Sequence, residues 1–584
     1  MDGTADFLNR RRAALLLGCA VVLAFGLTLF NQFVDWDDAA LILRNAIIQQ
    51  PSVAHIRSAF TSYDPQLYVP LTTLSFQLEH LVHGNAAFPT HGLNLLLHLI
   101  NVLLAWRFCA AVLRNEAAAL LVALLYGVHP IQTEAVAWAS ARKDLLSGTF
   151  FFVALLAYMK GVERENSRWV AFASVTFLLG LLSKVTIAPL PLVLLLWEWR
   201  ARGKLDTSSL RRSAAFLILA LVFIAIAVGG KVEGVAASGF RQTALLIPYS
   251  VLFLLGKIIF PWHLAVLYPF TDPITLWNAR IGLSIVGIII LLAAAICVGK
   301  RSRDAAFGLA FGLAMFIPSF GNFHRGEDFG DVYVTSDRSA YLVLLGILLA
   351  LAPLVGRQPK ISLRVGMVIA IAFIVLSARQ TLYWHDTDAL FLQTARVSPQ
   401  SHIAQMNVGN SLFRAGNALD AIPYYERTLL VRDTGLARYN LGKALAAVGR
   451  YDDALAEYAK AAQLDPHLLD ATLNIGVTML RIGRSSEALN LFHNLAIAHP
   501  EFPSARYNEA VLLAGTGRED DAVSALEAVA SQNPSFAPGA LMLARLHAKD
   551  GRIAQAQAAL ERLLSVDPHN TEATELLHSL KQKP

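Results

Sequence analysis

Long apolar segments, each close to the length needed to cross a membrane, follow one another from residue 13 to residue 379. Beyond about residue 380 they stop, and Ala, Glu and Asp recur with helical spacing. The chain is 55% hydrophobic and only 16% charged, against about a quarter in soluble domains. Because the apolar excess is confined to the first part, the sequence predicts an all-α chain with a membrane domain over 1–380 and a soluble domain after it.

The positions of the basic residues predict how the apolar segments cross. The twelve apolar runs are 13–34, 91–113, 117–137, 143–160, 169–186, 187–199, 213–230, 243–260, 281–298, 305–321, 337–356 and 362–379. All basic loops fall on one side if 243–260, which contains Lys257 and leads into Pro261, does not fully cross. We therefore predict eleven spans, an uncleaved first span, a cytoplasmic N-terminus and a C-terminus outside.

This topology predicts four outer segments and excludes several classes of partner. The outer segments are 35–90, 129–144, about 230–280 and 322–336. Helices along the interface are expected at 39–48 and 70–82 within the first of them. The net charge of +6 is explained by the cytoplasmic loops, so no nucleic acid partner is expected, and the three cysteines, all in apolar runs, predict neither a disulfide framework nor a metal site.

A repeat of 33 or 34 residues fills the C-terminal part. Its markers are Gly416, Gly449, Gly483, Gly517 and Gly551, and also Pro466, Pro500, Pro534 and Pro568. The unit, as in "NLGKALAAVGRYDDALAEYAKAAQLDP", resembles the tetratricopeptide repeat. We predict five helix pairs and a capping helix within 401–584, with 381–400 as a linker or first helix. Such a solenoid presents a concave surface that binds peptides, and the alternative is a packing scaffold without a ligand.

Three carboxylates stand at the mouth of the first span, in "FVDWDDAALIL". Asp35, Asp37 and Asp38 can be solvated residues, and Asp38 can cap the helix that follows. All three cannot cap one helix, however, and carboxylates at the mouth of a multi-span bundle are candidates for a general base or a metal ligand. No clean metal-ligand spacing is present, so no metal site is predicted, although a divalent metal is compatible with the chemistry.

Two further groups of titratable residues are predicted on the same face. The segment "GVHPIQTEAVAWASARKDLLS" holds His129, Glu134, Arg142, Lys143 and Asp144. His129 alone can be a helix-end histidine, whereas Arg142 and Lys143 break the positive-inside pattern, which a lipid phosphate would explain.

The third group precedes a late span. It comprises His324, Arg325, Glu327, Asp328, Asp331, Asp337 and Arg338. Arg338 enters an apolar helix, where Asp337 or a bound phosphate would offset the cost of its charge. Lys184, between two apolar runs, is a further basic candidate. Acids and bases on one face, together with a peptide-binding solenoid, indicate a reaction between an anionic lipid and a protein.

The acidic motif, "HPIQTEAVAWASARKDLLS", "SDRSAYL" and the trailing repeats together resemble the transmembrane and tetratricopeptide-repeat-containing O-mannosyltransferases, the TMTC family. The resemblance implies the GT-C fold class and glycosyl transfer from a polyprenyl-phosphate sugar to Ser or Thr hydroxyls. It makes Asp37 the base and Asp38 its support. The wider protein O-mannosyltransferase group carries Asp-Glu here, whereas this chain carries Asp-Asp, so which aspartate acts stays open.

The remaining candidates take roles from the same chemistry. Arg142, Lys143 and Arg338 would balance the departing phosphate, with Lys184 as a fourth basic group, and His129 and Glu134 would orient donor or acceptor. We expect a membrane glycosyltransferase, mannose being the sugar the family suggests, in a bacterial inner membrane. The alternatives are a non-enzymatic membrane-anchored assembly factor, for which eleven spans are more than an anchor needs, and a transporter or flippase, for which paired broken helices are missing.

Overall fold

The chain is helical almost throughout and divides into two compact units. The computed structural model describes residues 2–63, 67–230, 235–237, 240–322, 324–326, 332–357 and 359–582. The first unit is Met1–Ala404 and the second is Gln405–Pro584. The predicted all-helical class, with an apolar bundle before a repeat region, is confirmed.

The first unit contains seventeen α-helices in its described ranges. They are α1 (Asp2–Phe25), α2 (Ala46–Gln49), α3 (Val53–Thr61), α4 (Pro70–His83), α5 (Ala87–Leu113), α6 (Glu116–Val128), α7 (Thr133–Ala137), α8 (Arg142–Glu163), α9 (Ser167–Ser183), α10 (Leu190–Arg202), α11 (Thr207–Gly229), α12 (Phe240–Ile259), α13 (Ala279–Arg301), α14 (Arg303–Phe316), α15 (Ala340–Arg357), α16 (Pro359–Leu382) and α17 (Thr387–Val397). Several begin at a side-chain cap, as where Asp206 accepts a hydrogen bond from the Ser209 N–H at the start of α11.

Small residues let the helices of the bundle approach closely. On α14 and α15, a Cβ added to Gly308 or Gly346 would collide with the backbone of the other helix. Without a water-driven hydrophobic effect inside a bilayer, such close backbone packing is a main source of helix association. The buried core lies mainly between α1, α5, α6, α8 and α15.

Among the described residues, eight helices are long and apolar enough to cross a membrane, by length and composition. A ninth crossing arises if α6 and the segment Pro130–Ala137, which meet at a bend of 51°, form one span. The chain is an integral membrane protein. The count of eleven spans stays a prediction. The partial crossing of 243–260 also stays a prediction, and the helix Arg241–Ile259 is long and apolar enough to cross fully.

Short elements connect the long helices at the end of the bundle that carries the acidic loop. A π-helical turn, Ala39–Leu43, and α2 to α4 occupy the predicted first outer segment, with helices where 39–48 and 70–82 predict them. Strand β1 (Val235–Ala237) pairs antiparallel with β3 (His324–Gly326), and β2 (Pro269–Phe270) with β4 (Val332–Tyr333). Of the third predicted group, Glu327, Asp328 and Asp331 lie outside the described residues.

The second unit is a stack of helix pairs with a closing helix. Its helices are α18 (His402–Arg414), α19 (Ala418–Val431), α20 (Gly435–Ala447), α21 (Tyr451–Leu464), α22 (Leu469–Arg481), α23 (Ser485–Ala498), α24 (Pro503–Gly515), α25 (Glu519–Gln532), α26 (Ala537–Lys549), α27 (Ile553–Val566) and α28 (Thr571–Lys581). The five repeat glycines have φ between 74° and 83°, a left-handed conformation that ends the first helix of each pair.

Candidate active site

A cavity of about 250 Å³ lies where four distant parts of the first unit meet. Its charged side chains and Trp138 come from the turn after α1, the segment around the start of α8, the turn between α9 and α10, and the turn before α15. These residues are Asp37, Trp138, Lys143, Asp144, Lys184 and Arg338. Four of the eight residues predicted for the site are among them. The rest of the lining is largely apolar or hydroxylic, and it consists of 67–69, Ser147, 185–187, Ala227, Met315, Pro318, Ser319, Ser336, Ser339, Tyr341 and Leu342.

Asp37 presents its carboxylate to this cavity. It is half-buried, and within the described residues no group donates a hydrogen bond to its carboxylate. Burial raises the pKa of Asp37, while the positive charges of Lys143 and Arg338 pull it back down. The carboxylate oxygens of Asp37 are therefore available to accept a proton, and they feel the positive charges of Lys143 and Arg338.

Asp38 has the opposite surroundings. Its side chain is fully buried, and one oxygen accepts hydrogen bonds from the Ser140 N–H (3.0 Å) and hydroxyl (2.5 Å). The other oxygen accepts from the Val34 N–H at 3.0 Å. Burial raises the pKa of Asp38 to about 6 against these hydrogen bonds. Asp38 thus fastens the acidic loop to the turn before α8 and does not line the cavity.

Lys143 and Arg338 share an aromatic neighbour. The Lys143 Nζ lies 4.9 Å and the Arg338 Cζ 5.0 Å from the centre of the Trp138 ring, which is within range of a cation–π interaction. Glu134, which does not line the cavity, binds Arg338. One of its oxygens forms an ion pair with the guanidinium, and the other accepts the Arg338 backbone N–H at 2.8 Å. Glu134 is buried and positions a lining residue without lining the cavity itself.

Lys184 is held by Asp144. Its ammonium lies 2.6 and 2.7 Å from the two carboxylate oxygens, and both side chains line the cavity and are largely buried. The cavity therefore has three cations against two carboxylates, with Glu134 as a third carboxylate behind Arg338. A single phosphate group would meet more positive than negative charge on the lining itself.

Arg142 does not reach the cavity. Its guanidinium is fully buried, pairs with Glu79 at 2.7 Å, and donates to the Asn94 side chain and the Thr90 carbonyl. It also stacks over the Phe76 ring at 4.2 Å. Neighbouring residues on a helix point about 100° apart, so Arg142 and Lys143 face different surroundings.

His129 is likewise outside the cavity. Its Nε2 lies 3.0 Å from the Ile258 carbonyl, and its Nδ1 accepts the Ile131 N–H at 3.1 Å. The ring packs on Phe373 with centroids 4.4 Å apart. Both ring nitrogens are used, which fits a neutral histidine that ties α6 to α12 and α16.

Other lining residues were missed by the sequence patterns. Trp138 lies inside the motif between Glu134 and Arg142, but nothing in the sequence marks it as the partner of two cations. Tyr68 precedes α4 in a segment with no charged neighbour except Asp64. Asp144 belongs to the predicted group without an assigned role. Within the described ranges, no three His, Cys, Asp or Glu side chains are grouped to hold a metal ion.

The repeat unit has a polar cavity of its own, of about 490 Å³. Glu509 lies on its wall, with its carboxylate 2.6 Å from the His493 Nδ1 and 3.3 Å from an Arg506 nitrogen. The equivalent positions of the other repeats hold Val408, Leu441, Ile475 and Leu543. A carboxylate therefore replaces a core residue in one repeat only.

Comparison with known families gives separate matches in the two parts of the chain. Residues 69–229 match the model of the dolichyl-phosphate-mannose-protein mannosyltransferase family. Residues 406–468, 445–511 and 513–580 match tetratricopeptide-repeat models. Among solved structures, YrrB, a tetratricopeptide-repeat protein with an unusual peptide-binding site, is 21% identical with a TM-score of 0.24, and the match covers 33% of this chain and 97% of YrrB.

Curated relatives match over both parts of the chain. Protein O-mannosyl-transferase TMTC3 of Mus musculus is 24% identical over 535 residues, which cover 80% of this chain and 56% of the relative. TMTC4 of Homo sapiens is 24% identical over 71% of this chain and 65% of its own length. TMTC1 of Mus musculus is 33% identical over 163 residues, 26% of this chain and 17% of the relative. The chain spans between about half and two thirds of the length of the curated relatives it matches most fully. The chain therefore resembles the TMTC proteins, and it is an integral membrane protein in which a segment that matches the mannosyltransferase model precedes tetratricopeptide repeats.

Proposed function

We propose that the first unit is a GT-C-type glycosyltransferase that moves a sugar from a polyprenyl phosphate to Ser or Thr hydroxyls of a protein. The family segment and the names of the relatives support mannose as the sugar. The observation that carries the proposal is the cavity itself, where the Asp37 carboxylate, free of hydrogen bonds from the described residues, shares one small space with Lys143 and Arg338.

The proposed reaction follows from these charges. Asp37 takes the proton of the acceptor hydroxyl while the oxygen of that hydroxyl attacks the anomeric carbon of the sugar. The bond from that carbon to the phosphate oxygen breaks, and the polyprenyl phosphate leaves with an added negative charge. Lys143 and Arg338 stabilise this developing charge from positions that the fold has already fixed. Asp37 then releases the proton to solvent.

Other residues act through these three. Asp38 positions Asp37 by fixing the loop, and Glu134 positions Arg338. Lys184 is a third cation on the cavity wall. When a headgroup binds, Lys184 can donate to it part of the hydrogen bonding that it otherwise donates to Asp144. Arg142 and His129 take structural roles in this proposal, because each has its polar groups engaged elsewhere.

The partners and location complete the proposal. The N-terminus lies in the cytoplasm of a bacterium, the cavity opens at the outer face of the inner membrane, and the repeats bind the acceptor protein. The excess of basic residues in the opposite loops supports this orientation.

The test is sugar transfer by the purified full-length chain. It is incubated in detergent with radiolabelled polyprenyl-phosphate mannose and a mixture of exported proteins. Three forms are compared, the native chain, Asp37→Asn, and Asp35→Asn as a matched control whose side chain is 68% exposed. Label with the native chain and Asp35→Asn, but at least 100-fold less with Asp37→Asn, supports the enzyme and its base.

Two other outcomes would count against the proposal. Equal label in all three forms would support the transferase activity but reject Asp37 as its base. No label with mannose or other polyprenyl-linked sugars would favour the non-enzymatic assembly factor, in which outer carboxylates have no chemical role.

A further inference from the structure

The first helices of four consecutive repeats carry an asparagine at the same position. These residues are Asn407 of α18, Asn440 of α20, Asn474 of α22 and Asn508 of α24, and they follow one another at intervals of 33, 34 and 34. Each directly precedes the position that Glu509 occupies in the fourth repeat. Because neighbouring residues on a helix point about 100° apart, the asparagines lie at the edge of the repeat core, and all four are partly exposed.

Contacts between successive first helices show that these helices share one surface. The Asn474 side chain of α22 donates a hydrogen bond to the Tyr439 hydroxyl of α20 at 3.3 Å. One repeat earlier, the Lys443 Nζ of α20 lies 5.1 Å from the centre of the Phe413 ring of α18. Further along the stack, α24 packs on α26. The asparagines therefore form a row along a surface that runs from one repeat to the next, and stacked repeats use such surfaces for binding.

The amides of this row keep hydrogen-bonding groups for a ligand. A carboxamide has two N–H donors and a carbonyl oxygen with two lone pairs. Within the described residues, the Asn440 side chain has no hydrogen-bond partner. Asn474 donates one N–H to Tyr439, and Asn508 donates one N–H to the Ser504 carbonyl at 2.7 Å. Each of these two side chains therefore has a second N–H and a carbonyl oxygen that a bound molecule can use.

The chemistry and spacing of the row match a peptide backbone. One carboxamide can donate to a peptide carbonyl and accept from a peptide N–H at the same time, whatever side chains the peptide carries. Packed helices have axes about 8–10 Å apart, and an extended peptide advances about 3.1–3.4 Å per residue. Successive asparagines would therefore meet an extended peptide at about every third residue. Because the row is uncharged, it favours backbone groups over acidic or basic side chains.

We propose that the asparagine row binds unstructured segments of acceptor proteins through their backbone, in extended form and with little dependence on sequence. Backbone N–H and C=O groups are already paired inside a folded domain, so the row selects segments that are not folded. This inference rests on the proposed function, since it takes the acceptor as the ligand of the repeats. It adds the surface that binds the acceptor and the chemical class of the segment that is bound.

The experiment measures peptide binding to the full-length chain in detergent by fluorescence anisotropy. The probe is a labelled peptide of Ser, Thr, Ala and Gly with about 15 residues, or three per repeat. A second probe has the same composition in scrambled order, and a third carries N-methyl groups that remove its central N–H donors. The native chain is compared with the double variant Asn440→Ala and Asn508→Ala. Asn417→Ala is the matched control, because Asn417 is exposed at the start of α19, outside the row, and its side chain caps no helix.

We expect the native chain to bind the original and scrambled peptides equally, and the N-methylated peptide roughly tenfold more weakly. Each asparagine lost from the row should weaken binding about three- to tenfold, whereas Asn417→Ala should leave it unchanged. In the fifth repeat the position of the row holds Met542, which is partly exposed. Met542→Asn lengthens the row and should tighten binding about threefold, a gain that misfolding does not produce. The apparent Tm of each variant shows whether it is folded.

Three results would overturn the row as the binding site. They are native affinity in the folded double variant, unchanged affinity in Met542→Asn if the double variant does not fold, and a native chain that binds only one of the two unmethylated peptides. Binding that Glu509→Leu abolishes and the double variant leaves intact would place the peptide in the polar cavity of the fourth repeat instead.

Sugar transfer to the same peptides separates this inference from the proposed function. A native chain that glycosylates the peptides equally with and without the two asparagines would reject the row alone. A chain that binds peptides through the row, but transfers no polyprenyl-linked sugar to them or to exported proteins, would reject the proposed function and keep the row as a peptide site. Absence of both binding and transfer in the native chain would reject both.

Discussion

Asp37 and Asp38 are adjacent in the chain, but their carboxylates have opposite surroundings. Asp37 faces the cavity and accepts no hydrogen bond within the described residues, whereas Asp38 is fully buried and accepts three. One residue is therefore suited to exchange a proton with a substrate and the other to fix the loop. This pairing explains why a chain places several carboxylates at the mouth of its first span.

The bond between Ser140 and Asp38 should control the order of the acidic loop. Ser140→Ala removes the 2.5 Å hydrogen bond to a buried carboxylate, at an expected cost of about 1.5–3 kcal/mol. Hydrogen exchange of the amides in 33–44 should accelerate accordingly. Asp37→Asn, which removes no such bond, serves as the control. Unchanged exchange in Ser140→Ala would show that the loop is held by other contacts.

The stability of the same loop should depend on pH. Burial raises the pKa of Asp38 from 3.8 to about 6, so the folded loop favours the protonated acid. The stabilisation is complete below about pH 4 and is lost as pH rises through 6, with a total on the order of 3 kcal/mol. Exchange protection at 33–44, corrected for the intrinsic rate, should therefore fall between pH 4 and 7. Asp38→Asn should abolish the dependence, and a dependence that persists would assign it to another group.

The acid limb of the transfer reaction should respond to Lys143. Asp37 must be ionised to accept a proton, and burial raises its pKa while Lys143 lowers it. Lys143→Gln removes the lowering charge, so the acid limb of kcat/KM should move to higher pH, besides a lower rate at the optimum. Lys204→Gln, at an exposed position in another loop, should leave the limb in place. A shift to lower pH would exclude Asp37 as the group that titrates.

Much of the architecture is predictable from the sequence, because apolar runs and a fixed repeat period leave few alternatives. Lys143, Lys184, Arg338 and Asp37 could also be singled out, since charged residues at the ends of apolar runs are costly unless they have a role. The choice between Arg142 and Lys143 could not be made. It depends on how the turn 139–141 starts α8, and that turn is set by tertiary contacts such as the Asp38 bond to Ser140.

The hydrogen bonds of Glu198 could not be predicted from the sequence either. Glu198 accepts from Tyr158 and Ser209, which lie 40 and 11 positions away in the chain. Their pairing becomes apparent only in the folded bundle.

Arg142 should matter for folding and Lys143 for transfer. Arg142→Ala leaves the carboxylate of Glu79 without its buried partner, a change that typically costs 3–5 kcal/mol, so about that loss is expected in this site. The apparent Tm of the detergent-purified chain should fall clearly. Lys143→Gln should keep the native Tm and lower transfer. An Arg142→Ala chain that keeps the native Tm but loses transfer would instead show that Arg142 acts in the substrate site.

The buried carboxylate of the repeat unit should be dispensable for folding. Glu509 occupies a position where the other four repeats hold Val or Leu or Ile, and its partners His493 and Arg506 keep contact with solvent. Glu509→Leu therefore removes a charge that is buried away from water, while His493 and Arg506 can still be solvated. The leucine also restores the apolar packing of the repeat. Hydrogen exchange of α24 in the full-length chain should be unchanged or slower, corresponding to about 0–2 kcal/mol of added stability. Arg506→Leu is the contrasting variant, because it leaves Glu509 buried with fewer partners and should speed exchange. If Glu509→Leu instead loosens α24, the carboxylate is a structural tie. If it is neutral for folding and weakens capture of acceptor proteins, the polar cavity belongs to acceptor recognition.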